Sequence, residues 1–309
     1  MTVPRLVSFD RFTDIRDADL RGRDGLFCVE SPRVVARFLH ALVARATGAS
    51  CTPSLGIEAI LLTPEHAQRM AALLDSARAL LPPFEVTIAT NEAICGATGY
   101  ALHRGAVALG RRAGRGRVAE GSLDALGGSG VRTVIACDRV VHVDNVGALF
   151  RNAGSFGDAG ILLGPGCGDA LSRKAVRISS GRVFSVPWCE AGSWGDAIAA
   201  LRTQHGFGFV ACEDAPGAVT PAQALAAVRA RGISRIAFVM GSEGAGLSAE
   251  LIAQCDAVAC IPMRPPRAGP GNPVPLEADD RPSLNVSVAS ALVLHEACRA
   301  DAHARASTG

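Results

Sequence analysis

The sequence predicts an α/β protein of two domains, and three observations lead to this fold class. The chain has 309 residues, which is enough for two domains of ordinary size, each with its own core. Hydrophobic residues make up 49% of it and aromatic residues only 5%, so Ala, Val, Leu and Ile must build the cores. Segments of strand length alternate with segments of helical periodicity, which favours helices packed on mostly parallel sheets.

The first domain is predicted to span residues 1–112 and to have a small α/β/α architecture. Predicted strands occupy residues 25–30, 57–63, 84–90 and 105–112, and predicted helices occupy residues 31–46, 64–81 and 91–99. Pro32 and Pro64 fall in first turns, where a missing N–H leaves no hydrogen bond unmade, and Asn91 can cap the third helix.

The second domain is predicted to span residues 131–309, after a Gly- and Ser-rich linker at residues 113–130. Predicted strands occupy residues 132–138, 160–164, 182–187, 207–213, 235–240 and 257–263. Predicted helices lie near residues 146–156, 170–178, 193–204, 220–231, 247–255 and 284–300. In such a sheet the ligands bind at the carboxyl ends of the strands, so we expect the chemistry in the loops that follow them.

A proline-rich insertion at residues 264–282 interrupts this alternation. Proline lacks the backbone donor that helices and sheets require, so the segment cannot form a regular element. We interpret it as a lid between the last strand and the last helix.

Composition argues against a membrane protein and against a metal protein. No apolar segment reaches the roughly 18 residues of a spanning helix, and the first residues, MTVPRLVSFDRFTDIRD, lack the apolar core of a signal peptide. We therefore expect a soluble, cytoplasmic protein. The ten cysteines form no CxxC pair, which indicates reduced, buried thiols rather than disulfides or a metal site.

The net charge of +2 indicates little, but its distribution is uneven. Residues 93–119 contain no acid, while several cations accumulate there. These are His103, Arg104, Arg111, Arg112, Arg115 and Arg117. Such a run can bind a phosphate backbone, or it can be a solvated, flexible linker, because glycines are interspersed in it. Both interpretations stay open at this point.

The segment FVMGSEGAGL, residues 238–247, ends an apolar strand in a glycine-rich turn. A dinucleotide-binding fingerprint would read GxGxxG on the first strand of the domain, with an acid about 20 residues later. Here the glycine order, the strand and the acid all differ from that fingerprint. What remains is that Gly241, Gly244 and Gly246 allow a ligand to approach the main chain closely.

The segment VDNVGALFRNAGSFG, residues 143–157, predicts a helix capped by Asp144 or Asn145. Its predicted inner face consists of Val146, Leu149, Ala153 and Phe156. Arg151 and Asn152 then lie on another face, near the same strand ends. The simpler interpretation is a helix cap followed by a solvated arginine.

The segment RPSLNVSVASALVLHEA, residues 281–297, predicts a buried helix capped by Ser283 or Asn285. Polar side chains at Asn285, Ser287 and Ser290 need hydrogen-bond partners in such a helix. Local bonds between these side chains and the backbone would be the simpler explanation.

Together these segments resemble the SpoU (TrmH-like) family of SPOUT RNA methyltransferases. The three motifs of that family match DNVGALFRNA, MGSEGAGL, and IPM followed by SLNVSVASA, and the resemblance covers about residues 131–300. The first domain is similar, less specifically, to a ribosomal-protein-like substrate-binding domain. The proline-rich insertion departs from the family pattern, in which a short loop joins the two parts of the third motif.

The resemblance implies a trefoil-knotted domain that binds S-adenosyl-L-methionine and methylates a ribose 2′-hydroxyl of structured RNA, either rRNA or tRNA. The cofactor-binding residues implied are Met240, Gly241, Gly246, Ile261, Met263 and Leu284. The catalytic residues implied are Arg151, with Asn145, Glu243, Ser283 and Asn285 around it. Gly241 and Ile261 are expected to end two neighbouring strands and to share one crevice. A homodimer is also expected, because the last helix is too apolar to stand in water.

Two other functions remain as alternatives. A noncatalytic RNA-binding protein could keep the knotted fold as a scaffold, and it would then lack the cofactor loop or the motif arginine. A nucleotide-dependent oxidoreductase would need the dinucleotide fingerprint that the glycine-rich turn does not match. Within the methyltransferase interpretation, an enzyme that protects ribosomal RNA from an antibiotic has the same layout as a housekeeping enzyme.

Overall fold

The computed structural model describes most of the chain, with several gaps. The described residues are 9–12, 20, 25–48, 54–98, 105–112, 123–128, 130–242, 244–263 and 283–306. Glu243, the proline-rich insertion at 264–282 and residues 113–122 of the predicted linker lie outside them.

The first domain is built on a mixed sheet of four strands. The strands are β1 (Leu26–Glu30), β2 (Leu55–Leu62), β3 (Glu85–Ile88) and β4 (Ala106–Arg112), in the order β1-β4-β2-β3. Strands β2 and β3 are parallel, while β4 runs antiparallel to both β1 and β2. The helices are α1 (Pro32–Ala46), α2 (Pro64–Arg69), α3 (Ala71–Leu80) and α4 (Asn91–Thr98).

One predicted helix of this domain is interrupted. The expected helix over 64–81 is two helices, α2 and α3, because the backbone leaves the helical conformation at Met70 (φ −100°, ψ 8°). The Met70 side chain is buried in the core at this point. The uniform helical pattern of the sequence therefore did not reveal the break at Met70, where the side chain packs into the core.

The second domain is built on a sheet of six parallel strands, as its alternating pattern predicts. The strands are β5 (Thr133–Cys137), β6 (Ala159–Leu163), β7 (Trp188–Glu190), β8 (Phe207–Cys212), β9 (Arg235–Met240) and β10 (Ala257–Ala259), in the order β10-β8-β9-β5-β6-β7. The helices are α5 (Asp124–Gly127), α6 (Val143–Phe156), α7 (Arg173–Ile178), α8 (Trp194–His205), α9 (Pro221–Arg229), α10 (Ala249–Ile252) and α11 (Val286–Ala306). The expected α/β fold class is confirmed.

The second sheet is covered on both faces, which is why its strands are apolar throughout. Along β5, Ile135 and Cys137 contribute to one core, whereas Val134 and Ala136 contribute to the other. Helices α6, α7, α9 and α11 bury residues in the first of these cores, and α5, α8 and α10 in the second.

The predicted strand at 182–187 is wrong. Arg182–Phe184 form a 3-10 turn, and the edge strand β7 begins only at Trp188. Gly181 turns the chain with a positive φ of 77°, and the apolar side chains that follow it are drawn away from the sheet. Phe184 packs on Phe38 of α1, with ring centroids 4.7 Å apart. The apolar pattern of this segment therefore serves contact between the domains.

The two sheets share one hydrophobic cluster, which runs from α1 and β1 into the helices of the second domain. An ion pair borders it, in which Arg112 Nη2 lies 2.7 Å from Asp169 Oδ2 and both side chains are largely buried. Arg111 pairs with Glu58 in the same strand region, at 2.7 Å. Arg111 and Arg112 lie in the strand β4, so for these two residues of the acid-free run the flexible-linker interpretation is wrong. RNA contact by the run stays a prediction.

Part of the predicted linker packs on the second sheet. Leu126 of α5 is fully buried, and a Cβ added at Gly160 would lie 2.6 Å from it. The Arg235 guanidinium donates hydrogen bonds to the carbonyl oxygens of Leu126, Gly127 and Gly128 at 2.7 to 3.1 Å. The domain boundaries and the trefoil knot stay predictions.

Among the helices that the structure describes, none combines the length and hydropathy needed to span a membrane.

Candidate active site

A cavity of about 490 Å³ opens at the carboxyl ends of β8, β9 and β10. It contains every residue that the sequence resemblance assigned to the cofactor. These are Met240, Gly241, Gly246, Ile261, Met263 and Leu284. Ser283 of the predicted catalytic set also lines it, whereas Asn145, Arg151 and Asn285 do not. The structure thus brings together residues that are separated by more than 40 positions in the sequence.

The glycine-rich turn after β9 folds back on itself beside the cavity. Gly246 N–H donates to the Ser242 carbonyl oxygen at 3.1 Å. A Cβ at Gly241 would lie 2.4 Å from the Gly246 carbonyl carbon, and Gly246 itself has a φ of +60°. A Cβ at Gly244 would meet no atom within 4 Å among the described residues. Two of the three glycines are therefore required by close approach or backbone angle, and the third is not.

Glu213, which sequence reasoning missed, holds this turn in place. Its Oε2 accepts a hydrogen bond from the Leu247 N–H at 2.9 Å. On the other side of the same peptide bond, Arg139 Nη2 donates to the Gly246 carbonyl oxygen at 3.3 Å. A Cβ at Gly246 would lie 2.7 Å from Glu213 Oε1, so glycine also admits the carboxylate. The peptide between Gly246 and Leu247 is therefore bound at both ends.

Arg139 is itself held by a buried acid. Its Nε donates to Asp138 Oδ2 at 2.9 Å, and Trp194 Nε1 donates to Asp138 Oδ1 at 2.7 Å. Asp138 is only 6% exposed, so a carboxylate there needs both donors. Arg139 also adopts a positive φ of 53°, which is uncommon for a residue with a side chain. This chain of contacts fixes the turn after β9 from the end of β5.

A sequence signal for these two acids existed. Asp138 and Glu213 are each the last residue of a predicted strand, at the edge where the chemistry was expected. The expectation that Gly241 and Ile261 end neighbouring strands is wrong, because β8 lies between β9 and β10. The residues after β8, Glu213 and Asp214, consequently enter the middle of the cavity wall.

Asn145 and Asn285 join the first and third motifs. Asn285 Nδ2 donates to Asn145 Oδ1 at 2.9 Å. Asn285 Oδ1 accepts from the Ser287 N–H at 2.8 Å, so Asn285 caps α11 as one of the two predicted candidates. Its chain neighbours Leu284 and Val286 line the cavity. Asn285 therefore makes both the contact between segments and the local bond that the sequence left as alternatives.

The predicted caps of α6 are wrong. The helix begins at Val143 with His142 in the capping position, which leaves both polar candidates free for other contacts. Asp144 pairs with Lys174 at 2.8 Å, and Asn145 accepts from Asn285. The helix starts three residues earlier than a cap at Asn145 would require.

Further along α6, Asn152 satisfies polar groups of α11. Its Nδ2 donates to the Ser287 carbonyl oxygen at 2.6 Å and to Ser290 Oγ at 3.0 Å. Ser290 is fully buried, so this bond meets the requirement for partners inside an apolar helix. Helices α6 and α11 are thus fastened by polar contacts at two levels.

Arg151 lies apart from these contacts. Its side chain is exposed, and within the described ranges it makes no hydrogen bond or ion pair. The spacing of a helix puts it on the outer side of α6 with Asp144 and Ser155, roughly a quarter turn from the Asn152 face. Within one chain, Arg151 therefore does not contribute to the lining of the cavity.

The environment of the thiols at the cavity wall favours their uncharged form. Burial raises the pKa of Cys212, and burial together with the nearby Asp214 carboxylate raises the pKa of Cys260. The nine cysteines in the described part of the chain are all free. In the same residues, no group of three or more His, Cys, Asp or Glu side chains could hold a metal ion. The charge at the wall comes from Glu213 and Asp214.

Fold and cavity together define a class of enzyme, and comparison with known proteins identifies it. The SpoU rRNA Methylase family matches residues 132–268. A Mycobacterium bovis protein named as an uncharacterized tRNA/rRNA methyltransferase is 31% identical over 236 residues, covering 76% of this chain and 73% of the relative. The chain therefore belongs to the SpoU family, and the resemblance to SPOUT methyltransferases is confirmed.

Other relatives extend this result. The 23S rRNA (guanosine-2′-O-)-methyltransferase RlmB of Acinetobacter baylyi is 27% identical, covering 75% of this chain and 84% of the relative. The SpoU methyltransferase AviRb of Streptomyces viridochromogenes, solved with AdoMet, has the same fold, with a TM-score of 0.67, 22% identity and coverage of 96% and 98%. An RNA 2′-O ribose methyltransferase structure superposes with a TM-score of 0.58 at 26% identity, covering 90% of each chain.

Proposed function

We propose that this protein is an S-adenosyl-L-methionine-dependent RNA methyltransferase that methylates a ribose 2′-hydroxyl. The observation that carries the proposal is the cavity, in which the glycine-rich turn, the end of β10 and the start of α11 meet. Family membership and the RNA methyltransferases among the relatives support it. We infer rRNA as the substrate, with tRNA as the second candidate, because a folded first domain is attached.

The cavity fits S-adenosylmethionine. Its volume of about 490 Å³ is within the range of small-molecule sites, roughly 300 to 1,000 Å³. Met240, Ile261 and Leu284 supply apolar wall, and Gly241 leaves the main chain open to close approach. Glu213 and Asp214 would repel a phosphate but suit a ligand that carries a sulfonium and an ammonium group. When bound, this cofactor supplies an electrophilic methyl group.

Arg151 is proposed to act on the RNA. A ribose hydroxyl is a weak nucleophile, so it must be aligned with the methyl group and lose its proton. A guanidinium keeps its proton in water up to a pH of about 12, so Arg151 fits two roles: an anchor for the adjoining phosphate, or a base that acts through that phosphate. Asn145, Ser283 and Asn285 are proposed to position the ribose and the cofactor. Glu243, outside the described residues, is assigned to the same set.

A homodimer is proposed to complete the site. Helix α11 leaves Val288 and Leu292 47% and 41% exposed, although they are one turn apart and apolar. Arg151 does not line the cavity of its own chain. A second copy that covers α11 would remove the exposed surface and could present its Arg151 to the cavity. Light scattering would measure the mass, and a fully active monomer would contradict this arrangement.

The decisive experiment is transfer of a labelled methyl group to total RNA from cells that lack the gene, followed by nucleoside mapping. We expect one 2′-O-methylated nucleoside with the wild type. Arg151→Ala should lower the rate by about 100-fold or more, which is typical for loss of an acid–base or positioning group. Arg78→Ala, an exposed arginine on α3, is the matched control and should retain the wild-type rate.

Two outcomes would contradict the proposal. If no RNA preparation accepts a methyl group on ribose, the catalytic assignment fails, and methylation of a base would replace it with a different reaction. If Arg151→Ala is as active as the wild type, the role of Arg151 fails. The noncatalytic alternative gains no support, because the described residues retain both the cavity and Arg151.

A further inference from the structure

Three arginines lie together where the two domains meet. Arg33 and Arg37 are one turn apart on α1 of the first domain, and Arg182 begins the 3-10 turn of the second. Arg37 Nη1 donates to the Ser180 carbonyl oxygen at 2.5 Å. A Cβ at Gly181 would lie 3.4 Å from Arg37 Cβ, so the turn packs directly on α1. We call Arg33, Arg37 and Arg182 the junction patch.

The patch continues toward Arg151. A Cβ at Gly154 of α6 would lie 2.7 Å from Arg182 Cδ, so the Arg182 side chain lies across α6 at this glycine. Gly154 follows Arg151 by three residues, and positions three apart on a helix are neighbours. Arg151 is exposed there. A path of guanidinium groups therefore leads from the first domain to the proposed catalytic arginine.

The arginines of this path differ from their neighbours in lacking acids. Within the described part of the chain, neither Arg33, Arg182 nor Arg151 forms an ion pair. Nearby arginines do: Arg112 pairs with Asp169, and Arg173 pairs with Glu30. The acidic side chains Asp169 and Glu30 are therefore paired with other arginines and not with those of the path.

The three arginines also repel one another. Burial lowers the pKa of Arg37, and the charges of Arg182 and then Arg33 lower it further. Clustered like charges oppose the compact state unless an anion neutralises them. A strongly anionic partner would relieve this repulsion.

In the first domain the cations extend past Arg33 into an open cavity of about 520 Å³. Arg33 lines it together with His66 and Arg69. Arg69 is paired with Glu65 at 3.0 Å, so Arg33 is the arginine of this wall without a described acid. The cationic surface thus faces both the first domain and Arg151.

The described surface offers phosphate contacts but no stacking platform for bases. Its exposed large hydrophobic residues are all aliphatic. They are Leu80, Ile88, Val141, Val219, Val288 and Leu292. Proteins that bind single strands stack bases on aromatic rings, whereas folded RNA is bound mainly through its backbone and shape.

We propose that the junction patch binds the phosphate backbone of helical RNA and aligns the substrate across both domains toward Arg151. The inference rests on the proposed function, and it specifies the form of RNA and the surface that binds it. Because the patch spans the domain boundary, one RNA helix would contact both domains. The first domain then contributes through this junction rather than through Arg111 and Arg112, which are paired.

The test measures RNA affinity as a function of salt, with an RNA hairpin of about 20 base pairs as the probe, long enough to span the roughly 16 pairs that a small domain covers. The variant is Arg33→Gln with Arg182→Gln. The matched control is Arg45→Gln with Arg78→Gln, which removes two exposed arginines from α1 and α3 away from the junction. A single-stranded oligouridylate of equal length is measured in parallel.

We expect the junction variant to bind the hairpin at least about 10-fold more weakly at 0.1 M salt. Its slope of log affinity against log salt should fall by about 1.4 to 1.8, because each phosphate contact contributes about 0.7 to 0.9. The control should stay within about 2-fold of the wild type. Affinity for S-adenosylmethionine and the melting temperature should be unchanged, which separates lost contacts from lost folding.

A slope equal to that of the wild type would overturn the inference, and so would an equal loss with the control variant. Preference of the wild type for the single strand would overturn the helical assignment. If the double variant unfolds, Arg33→Glu alone repeats the test, since Arg33 is exposed and has no described partner. If the wild-type enzyme methylates RNA and the junction variant binds RNA normally, this inference fails and the proposed function stands. A wild type that neither binds nor methylates RNA sinks the proposed function as well.

Discussion

The cavity differs in construction from the arginine path, which is the junction patch together with Arg151. The cavity is shaped by main chain, with the peptide between Gly246 and Leu247 held from both sides by Glu213 and Arg139. The arginine path consists of long side chains that lack acids among the described residues. A small ligand needs a preformed concave site, whereas a polyanion needs charge at the right spacing. In the arrangement that we propose, cofactor and RNA are therefore bound by separable parts of the molecule.

If this separation is real, substitutions in the cavity should change cofactor affinity, and substitutions in the arginine path should change RNA affinity or rate.

Gly241→Ala should weaken S-adenosylmethionine binding by about 100-fold or more. The new Cβ would lie 2.4 Å from the Gly246 carbonyl carbon, and a backbone group cannot yield as a flexible side chain would. Overpacking of this kind typically costs about 1 to 3 kcal/mol or more, of which 2.8 corresponds to about 100-fold. Isothermal titration calorimetry measures the effect.

Gly244→Ala is the matched control in the same turn. Nothing described lies within 4 Å of its Cβ, so the affinity should stay within about 2-fold of the wild type. Equal affinities of both alanine variants would show that the turn is not shaped by close packing at Gly241.

Glu213→Ala should weaken cofactor binding by about 10- to 100-fold. It removes the acceptor of the Leu247 N–H, and hydrogen bonds to charged groups contribute about 1.5 to 3 kcal/mol. Glu213→Gln keeps an oxygen acceptor and should lose less. If alanine and glutamine bind equally, the carboxylate acts through its charge or not at all, and the assigned contact is wrong.

Asn145→Ala and Asn285→Ala should each lower the methylation rate by about 10-fold and should not add in the double variant. Their side chains share one bond of 2.9 Å, and neutral hydrogen bonds contribute about 0.5 to 1.5 kcal/mol. A double-mutant cycle on turnover measures the coupling, which is expected to exceed about 0.5 kcal/mol. Strict additivity would contradict a joint role.

Cys260→Ser should have the smallest effect, less than about 2-fold on cofactor affinity between pH 7 and 8.5, the range below the ordinary thiol pKa. Because burial and Asp214 raise the pKa of Cys260, the thiol carries less negative charge over this range than an ordinary thiol would. If cofactor affinity changes with pH over this range in the wild type but not in Cys260→Ser, the thiol is not neutral and the prediction is contradicted.

Prediction from sequence succeeded where a local pattern and a local cause coincide. The strand before Gly241 was identified because five apolar residues end at glycine, and Asn285 was one of two residues expected to cap α11. Prediction failed where residues distant in the sequence determine the local structure. The apolar pattern at 182–187 resembles a strand, but Val183 and Phe184 are buried between the domains.

The pairing of Arg112 with Asp169 is a second case of the same kind. An acid-free run of sequence can still be neutralised in space, because the compensating carboxylate is 57 positions away. The junction patch shows the converse, since Arg33 and Arg182 come together although neither belongs to the run that composition selected.

The amino-acid sequence alone established the α/β class and five of the six strands of the second sheet, because these depend on periodicity. Its short motifs, through the family resemblance, indicated six of the residues that line the cavity. Strand order required the tertiary structure. With β8 between β9 and β10, Glu213 enters the cavity, and the packing of α1 on the turn at Gly181 creates the junction patch. The physical reason is that side-chain chemistry is local to the sequence, whereas the neighbours that hold or neutralise each side chain are chosen by chain packing.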